Sequence, residues 1–327
     1  MFDVVTVGSA TIDVFASTRF SETIKIIDPK GETDLLAFPV GAKILIDQLE
    51  FSTGGGGTNT AVALSRLGHK VAFLGKLGSG ANSDFIKKSM AKDKIKLLCQ
   101  NGDGNTGYSM ILDTLEHDRT ILTYKGANDE LSQRDVPFRR LNSKWFYFSA
   151  MMGKSFATLE ILADFAQKRG IKIAFNPSMY LAEKGADHLK KILEKTELLV
   201  LNKEEAALIA GRYAPRESLI RLSALGPKIC VITDGKNDLF SYCKKKFYMA
   251  RPPRLKVIDT TGAGDAFAAS FLSGIIRKND ICFAIKLGMV NCASIVSHYG
   301  AKNILLNTGE AKRRMNNLKI KILKSNK

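Results

Sequence analysis

From Leu141 onward the chain repeats one pattern, a short apolar run followed by a segment whose apolar residues have helical spacing. Glycines follow two of the helical segments, at Gly170 and Gly211, where helices commonly end. Strands that alternate with helices are typical of a mostly parallel sheet with helices on both faces. The sequence therefore predicts an α/β fold. The expected strands are 145–148, 171–175, 198–201 and 229–232, and the expected helices are 156–169, 187–195, 203–210 and 284–297.

One stretch, Asp259–Phe267 (DTTGAGDAF), places two glycines before a helix expected over 266–278. Free backbone N–H groups at a helix N-terminus, reinforced by the helix dipole, bind anions and phosphate above all. Asp265 puts a carboxylate beside the place where phosphate would lie. A site that only held phosphate has no use for that charge, whereas a phosphoryl transferase needs a base near the attacking hydroxyl. The alternative is a helix acid favoured by the dipole, but Gly-Ala-Gly before Asp265 favours catalysis over capping.

A second glycine-rich segment, Ser52–Ala61 (STGGGGTNTA), leads into a helical run at 61–67. Four successive glycines let the backbone come close to a ligand. A flexible linker is the alternative, but linkers rarely enter a helix through Thr58-Asn59, and we interpret the segment as a ligand-binding turn. Asp13 follows the first strand, where open α/β sheets place ligand contacts, although aspartate is also common in turns.

Two stretches, 43–51 and 108–124, alternate between apolar and polar residues and contain no run of helical period. The second indicates a hairpin with a turn near Glu116-His-Asp118. A small sheet beside a large α/β body is typical of a lid that closes over a site. The predicted organisation is a core of 1–16, 52–107 and 125–311, a lid of 17–51 and 108–124, and a basic tail of 312–327. The exposed edges of the lid could pair with a second subunit as a homodimer.

The net charge of +17 raises the question of nucleic-acid binding. Lys312–Lys327 carries seven positive charges and no acid. Aromatic residues are not interleaved with the basic ones, as they are on single-strand-binding surfaces. We therefore expect a solvated basic face and an anionic substrate such as ATP. A non-catalytic protein that binds a ligand or nucleic acid on the same fold is the alternative from another class.

Cysteine use and apolar content predict the compartment. The five cysteines form no CxxC pair, which favours reduced thiols in the cytoplasm. No apolar run approaches 18 residues, and the N-terminus reads as a strand rather than a signal peptide, so we expect no membrane span. The four histidines are far apart, which makes zinc improbable. The GxGxxG at Gly102–Gly107 precedes a strand pattern and is interpreted as a turn.

The order of these motifs resembles the ribokinase-like (PfkB) family of carbohydrate kinases over about residues 3–311. DTTGAGDAF is highly specific for it, and the glycine turn with Asn59 is moderately so. The resemblance implies a three-layer α/β/α sandwich with a mostly parallel central sheet and a small β lid. It also implies transfer of the γ-phosphoryl of ATP to a hydroxyl of a small sugar. The remaining matching motifs are Asn202-Lys-Glu-Glu205 and Thr233-Asp-Gly235.

Residue by residue, the resemblance implies roles on the phosphate side. Asp265 matches the catalytic base, and the backbone of Gly262, Ala263 and Gly264 matches the anion hole. The family uses Mg²⁺, often held through water, and many members bind a monovalent cation such as K⁺. The matching positions are Asn202 and Glu205 for Mg²⁺, Asn202, Thr233 and Gly235 for the nucleotide phosphates, Asn291–Gly300 for the wall of the adenine pocket, and Asp259 and Thr261 for K⁺.

On the acceptor side, the resemblance implies binding through Asp13 and the glycine turn, at Gly54, Gly55 and Asn59. The chain departs from the family at Gly56, where ribokinases proper often carry lysine. It also lacks the asparagine that many sugar-binding members place before the aspartate. The acceptor therefore stays open, with a sugar first, a nucleoside such as adenosine second and a sugar phosphate third.

Overall fold

The computed structural model describes residues 1–18, 22–28, 31–98, 100–113, 119–298, 300–318 and 320–326. The strands are β1 (Phe2–Val7), β2 (Thr11–Ser17), β3 (Glu22–Asp28), β4 (Gly31–Ala37), β5 (Gln48–Gly54), β6 (Val71–Leu74), β7 (Lys76–Leu77), β8 (Lys96–Leu97), β9 (Gln100–Asn101), β10 (Gly107–Asp113), β11 (Arg119–Tyr124), β12 (Ser143–Phe148), β13 (Lys172–Phe175), β14 (Thr196–Asn202), β15 (Ile229–Thr233), β16 (Leu239–Cys243), β17 (Lys246–Ala250) and β18 (Ile322–Asn326). The helices are α1 (Gly56–Arg66), α2 (Ala81–Lys92), α3 (Gly153–Arg169), α4 (Ser178–Ala182), α5 (Gly185–Leu193), α6 (Lys203–Ala210), α7 (Pro215–Ala224), α8 (Ala263–Lys278), α9 (Ile281–Ile295) and α10 (Thr308–Asn317).

The central sheet has the strand order β18-β17-β16-β15-β14-β13-β12-β1-β6-β8. Strands from β8 to β15 in this order are parallel, and β16, β17 and β18 are antiparallel. One apolar cluster packs α1, α8 and α9 against one face, and a second packs α3, α5, α6 and α7 against the other. The predicted three-layer α/β fold with a mostly parallel sheet is confirmed.

Consecutive residues of a central strand enter opposite clusters, which explains the unbroken apolar runs. Val4 belongs to the first cluster and Val5 to the second, and both are fully buried. In a sheet covered on both faces, neither side chain of such a pair meets water. The parallel strands also end at one common edge, so the loops after β1, β12, β14 and β15 come together there.

A second, four-stranded sheet has the order β11-β10-β2-β5. The predicted hairpin is present, with Tyr108 opposite Tyr124, whereas its predicted turn at 116–118 lies outside the described residues. The strand predicted over 43–51 is wrong in its bounds, because residues 38–47 are irregular and the strand spans 48–54. Alternation misled there because Leu45 and Ile46 are exposed, at 72% and 52%. The small sheet also takes in β2, which the prediction had left largely in the core.

The C-terminal segment predicted as a basic tail, 312–327, contains regular helix and strand. Its first part completes α10, which begins with a capping box between Asn307 and Glu310. Its last part, β18, pairs antiparallel with β17 and closes one edge of the central sheet. The physical reason is apolar content between the lysines, since Ile320 is buried in the core cluster. In the described part of the chain, no helix combines the length and the apolar character that a membrane span requires.

Candidate active site

A cavity of about 300 Å³ lies at the edge where the parallel strands end. Its walls come from the loops after β1 and β12, the starts of α6 and α8, and the end of β15. Of the predicted site residues, it is lined by Asn202, Glu205, Thr233, Gly262, Gly264 and Asp265. A larger cavity of about 520 Å³ lies between α10 and residues 303–306 and contains none of the predicted site residues.

The start of α8 supplies backbone donors to this cavity. Gly262 precedes the helix with φ of +73°, and a Cβ there would approach the Cβ of Ala301 to 2.5 Å. Glycine is therefore required both for the left-handed backbone and for the close packing. The first N–H groups of a helix have no partners within it, and they point along the axis toward the cavity. Gly264 has open space around it, which leaves room for an anion at these donors.

Asp265, in the first turn of α8, lies partly buried beside these donors. Its Oδ2 accepts a hydrogen bond of 2.8 Å from Nδ2 of Asn59 on α1. Burial raises the pKa of Asp265, while the Asn59 hydrogen bond and the charge of Lys302 act to lower it. Oδ1 of Asn59 is buried and has no hydrogen-bond partner among the described residues. An unpaired acceptor beside a carboxylate suits a ligand that brings a hydroxyl group.

Asp13 and the glycine turn meet on the other side of Asn59. Asp13 is 7% exposed, and its Oδ1 accepts a 2.7 Å hydrogen bond from Thr11 Oγ1. A Cβ on Gly54 would overlap that carboxylate, and one on Gly55, with φ of +93°, would come within 2.5 Å of Ser9 O. Burial raises the pKa of Asp13. These residues do not line the 300 Å³ cavity, but the Asn59–Asp265 bond connects them to it.

Asn202 and Glu205 begin α6 and form a capping box. Asn202 Oδ1 accepts from the N–H of Glu205 at 2.8 Å, and Glu205 Oε2 accepts from the N–H of Asn202 at 2.9 Å. Glu205 is 6% exposed, and burial raises the pKa of its carboxyl, with the charges of Glu204 and Asp265 acting in the same direction. The capping role accounts for one Glu205 oxygen. Its second oxygen leaves capacity for a ligand at the cavity wall.

The cavity wall offers Mg²⁺ the carboxylate of Glu205 rather than a cage of protein ligands. No group of three His, Cys, Asp or Glu side chains that could enclose a metal occurs within the described ranges. Mg²⁺ commonly keeps several waters and is bound by one or two carboxylates together with substrate phosphates. One carboxylate at the cavity wall, opposite a helix N-terminus open to phosphate, agrees with that mode. The residues present fit a Mg²⁺ ion that arrives with the nucleotide.

Thr233 and Gly235 end β15 and form the following turn. Thr233 lines the cavity and donates to Leu201 O at 3.3 Å. Gly235 is exposed with φ of +52° and does not line the cavity. The structure therefore brings Thr233 to the cavity but not Gly235, and the contacts of both with nucleotide phosphates stay a prediction.

Asp259 and Thr261 lie in the irregular segment before α8. Asp259 Oδ1 accepts from both N and Oγ1 of Thr261, and Oδ2 accepts from the N–H of Gly300. These bonds hold the segment around Gly300 against the start of the helix. The K⁺ predicted here stays a prediction.

Asn291 lies away from the 300 Å³ cavity, and its predicted place at the wall of the adenine pocket stays a prediction. It is fully buried within α9, where Nδ2 donates to Ser270 Oγ and Oδ1 accepts from Leu306 N. Both polar atoms are used inside the protein, and the residue does not line the cavity. No local pattern distinguishes Asn291 from nearby positions on the same helix.

Three residues in or near the cavity were not predicted from the sequence. Lys302 is buried behind the glycine turn, Ser149 lines the cavity, and Tyr147 lies beneath it. The pKa of Tyr147 is raised well above its usual range by burial and by the charges of Asp265 and Glu205. The hydroxyl groups of Ser149 and Tyr147 have no protein partner among the described residues. Serine and tyrosine at the end of an apolar strand, as in β12, are the signal that could have identified them.

The sequence of this chain is similar to those of known sugar kinases. The model of the pfkB family carbohydrate kinase matches residues 1–308. An uncharacterised sugar kinase of Archaeoglobus fulgidus is 29% identical over 74% of this chain and 97% of its own length. A ribokinase of Haemophilus influenzae is 27% identical over 78% of this chain and 84% of its own length.

Solved structures share the fold. An adenosine kinase from Sinorhizobium meliloti has a TM-score of 0.81 and 20% identity, covering 96% of this chain and 99% of its own. A protein assigned as a ribokinase II from Escherichia coli, in complex with ATP and Mg²⁺, has a TM-score of 0.82 and 17% identity, covering 97% of this chain and 100% of its own. The predicted ribokinase-like fold is confirmed.

Proposed function

The chain belongs to the pfkB family of carbohydrate kinases, and from that premise we propose that it transfers the γ-phosphoryl group of ATP to a hydroxyl of a small sugar. The observation that carries this proposal is the pairing of Asp265 with the open N-terminus of α8 in one cavity. A base and an anion hole within one turn are what phosphoryl transfer to an alcohol needs.

Each residue has a part in the proposed reaction. Asp265 takes the proton of the attacking hydroxyl, and the backbone N–H groups at Gly262–Gly264 stabilise the charge on the transferring group. Asn59 donates a hydrogen bond to Asp265 through Nδ2, and its Oδ1 can accept a hydrogen bond from a hydroxyl of the sugar. Asp13 orients other hydroxyls of the acceptor. The small sheet, which carries Asp13 on β2, closes over the acceptor and excludes water.

Asn202, Glu205 and Thr233 would lie toward the phosphates of ATP. Glu205 and Asn202 would hold Mg²⁺ through water, and Mg²⁺ would neutralise charge on the phosphates when bound. The similar structure from Escherichia coli that was solved in complex with ATP and Mg²⁺ supports this assignment. A K⁺ ion beside Asp259 and Thr261 would support the same helix terminus.

Buried thiols such as that of Cys230 suit a reducing compartment, and we place the reaction in the cytoplasm.

The acceptor is assigned as a sugar, with a nucleoside second and a sugar phosphate third. Sugar kinases and ribokinases are among the relatives, which favours the first. A cytidine kinase of Thermococcus kodakarensis at 25% identity supports the second. An ATP-dependent 6-phosphofructokinase of Thermoanaerobacterium thermosaccharolyticum, also at 25%, supports the third.

A coupled ADP-release screen tests the proposal. Pentoses and hexoses, nucleosides and sugar phosphates are compared at equal concentration, each with and without K⁺. We expect release that depends on a sugar and is lost when EDTA removes Mg²⁺. Turnover with nucleosides alone would replace the assigned acceptor, and no acceptor-dependent turnover with any class would contradict the proposed activity. Binding without turnover, steeply weakened by salt, would support the non-catalytic alternative.

We also propose a homodimer formed through the small sheet. Its edge strands β5 and β11 expose Phe51 at 59% and Leu122 at 55%, and the hairpin β3–β4 exposes Ile27 at 70%. Light scattering is expected to give about twice the chain mass of 35.9 kDa, and Phe51→Asp is expected to give the monomer. Leu208→Asp, at an exposed position on α6, is the matched control. A wild-type mass of one chain contradicts the dimer.

A further inference from the structure

Lys302 is a buried lysine directly behind the glycine turn. It is 6% exposed, and its Nζ donates to Thr53 Oγ1 at 3.0 Å and to Thr58 Oγ1 at 2.7 Å. These threonines flank the turn on both sides. Thr58 Oγ1 in turn donates to Gly54 O at 2.6 Å. One ammonium group therefore joins the two ends of the segment that carries Gly54 and Gly55, and its second partner, Thr58, directly precedes Asn59.

Four charged groups face this ammonium. Asp13 lies on β2, Asp265 on α8, Asp93 just after α2 and Arg66 on α1, and all four influence the pKa of Lys302. Arg66 is paired with Asp93 at 2.8 Å. Neither Asp13 nor Asp265 belongs to an ion pair among the described residues, and the charge of Lys302 lowers the pKa of both.

Burying this charge carries a cost that the fold alone does not repay. Burial lowers the pKa of Lys302 to about 7, although the three aspartates act to raise it. The folded protein thus disfavours the protonated form. The resulting destabilisation is fully present below about pH 7 and decreases as pH rises from about 7 toward the pKa of the unfolded chain. A methionine would fill the same space without that cost below pH 7. The lysine is better explained by its effect on the carboxylates.

We propose that Lys302 is a positioning residue for phosphoryl transfer, which keeps Asp13 and Asp265 ionised and holds the glycine turn against the acceptor. This inference rests on the proposed function for its catalytic meaning. In this proposal Lys302 supplies a positive charge inside the site. Without it, the carboxylates of Asp13 and Asp265 would share a buried site with the phosphates of ATP and no lysine to offset their charge. Because only the protonated amine supplies the charge, the support weakens as pH rises through about 7.

The experiment compares Lys302→Met with wild type in two readouts. In steady-state kinetics, the acid limb of kcat/KM is expected to move up by about one pH unit, because loss of a nearby cation raises the pKa of a carboxyl. At pH values well below the limb, kcat/KM is expected to fall by up to about 10-fold, the limit for a shift of one pH unit, while the melting temperature at pH 6 does not fall. A purely structural lysine would give the opposite pattern, a lower melting temperature and an unmoved limb.

The second readout needs no turnover. Carboxyl ¹³C signals of aspartate, assigned with Asp13→Asn and Asp265→Asn, are titrated in wild type and in Lys302→Met. We expect both pKa values to rise in the variant and a small second step near pH 7 in wild type, as Lys302 loses its proton. Unchanged titrations in a folded Lys302→Met overturn the inference. The absence of the second step in wild type also overturns it, and that measurement does not depend on whether the variant folds. An inactive wild type with shifted titrations would contradict the proposed function alone.

Two further variants separate charge from packing. Thr53→Val keeps the ammonium but removes one of its anchors, so we expect a few-fold rise in the KM of the acceptor with the acid limb unmoved. Lys195→Met is the matched control, since Lys195 is also largely buried, at 13%, but pairs with Asp164 in the outer helical layer. It is expected to leave the acid limb and both carboxyl titrations unchanged.

Discussion

Replacing Asp265 by asparagine is expected to lower kcat by about 10²- to 10⁴-fold, the range for loss of a general base. The amide keeps the shape of the carboxylate and can still accept from Asn59 Nδ2 through its oxygen, so the site stays packed. It cannot accept the proton of the attacking hydroxyl. Coupled ADP-release kinetics measure kcat, and calorimetry with ATP and Mg²⁺ is expected to give a nearly unchanged Kd.

The pH profile adds a direction to this prediction. Burial raises the pKa of Asp265 above its usual range. Because the base must be ionised, the wild-type rate falls as pH drops through that raised pKa, and the variant loses this limb. Asp280→Asn is the matched control, since Asp280 caps α9 by accepting from Phe283 N at 2.6 Å. If Asp265→Asn retains activity within a few-fold, or matches Asp280→Asn, Asp265 is not the base.

The architecture could be read from the sequence because it depends on local patterns. Apolar strands such as β14, helix-ending glycines and the order of elements suffice for a mostly parallel sheet with helices on both faces. That sheet in turn brings the ends of β1, β12, β14 and β15 to one edge. Asp265, Glu205 and Thr233 therefore lie around one cavity, although they are far apart along the chain.

What could not be predicted depends on contacts between distant segments. Asn291 lies nine residues before Gly300 and Lys302 two residues after it, yet one is buried within α9 and the other reaches the glycine turn. No local pattern fixes the direction of either side chain. The strand at the C-terminus was also not predicted, because its sequence is rich in lysine. It pairs with β17 through backbone hydrogen bonds, which lysine side chains do not block.

Gly54→Ala is expected to raise the KM of the acceptor by about 100-fold with ATP binding nearly unchanged. The new methyl group would overlap the Asp13 carboxylate, which is buried and held by Thr11 Oγ1 at 2.7 Å. Asp13 must rotate away, and overpacking of this kind typically costs about 1–3 kcal/mol of stability. Gly309→Ala on α10, where the added carbon makes an ordinary contact at 3.4 Å, is the matched control for both KM and melting temperature.

A double variant decides whether Asp13 acts through the acceptor or only through packing. In an Asp13→Ala background the overlapping atoms are gone, so adding Gly54→Ala should cost little further stability. Acceptor affinity should already be lost in Asp13→Ala and should not return, because neither variant restores the carboxylate. Such non-additivity is expected for residues in contact and not for distant, independent sites. Full acceptor affinity in Asp13→Ala would remove Asp13 from the acceptor site and leave the Gly54 effect as strain in the turn.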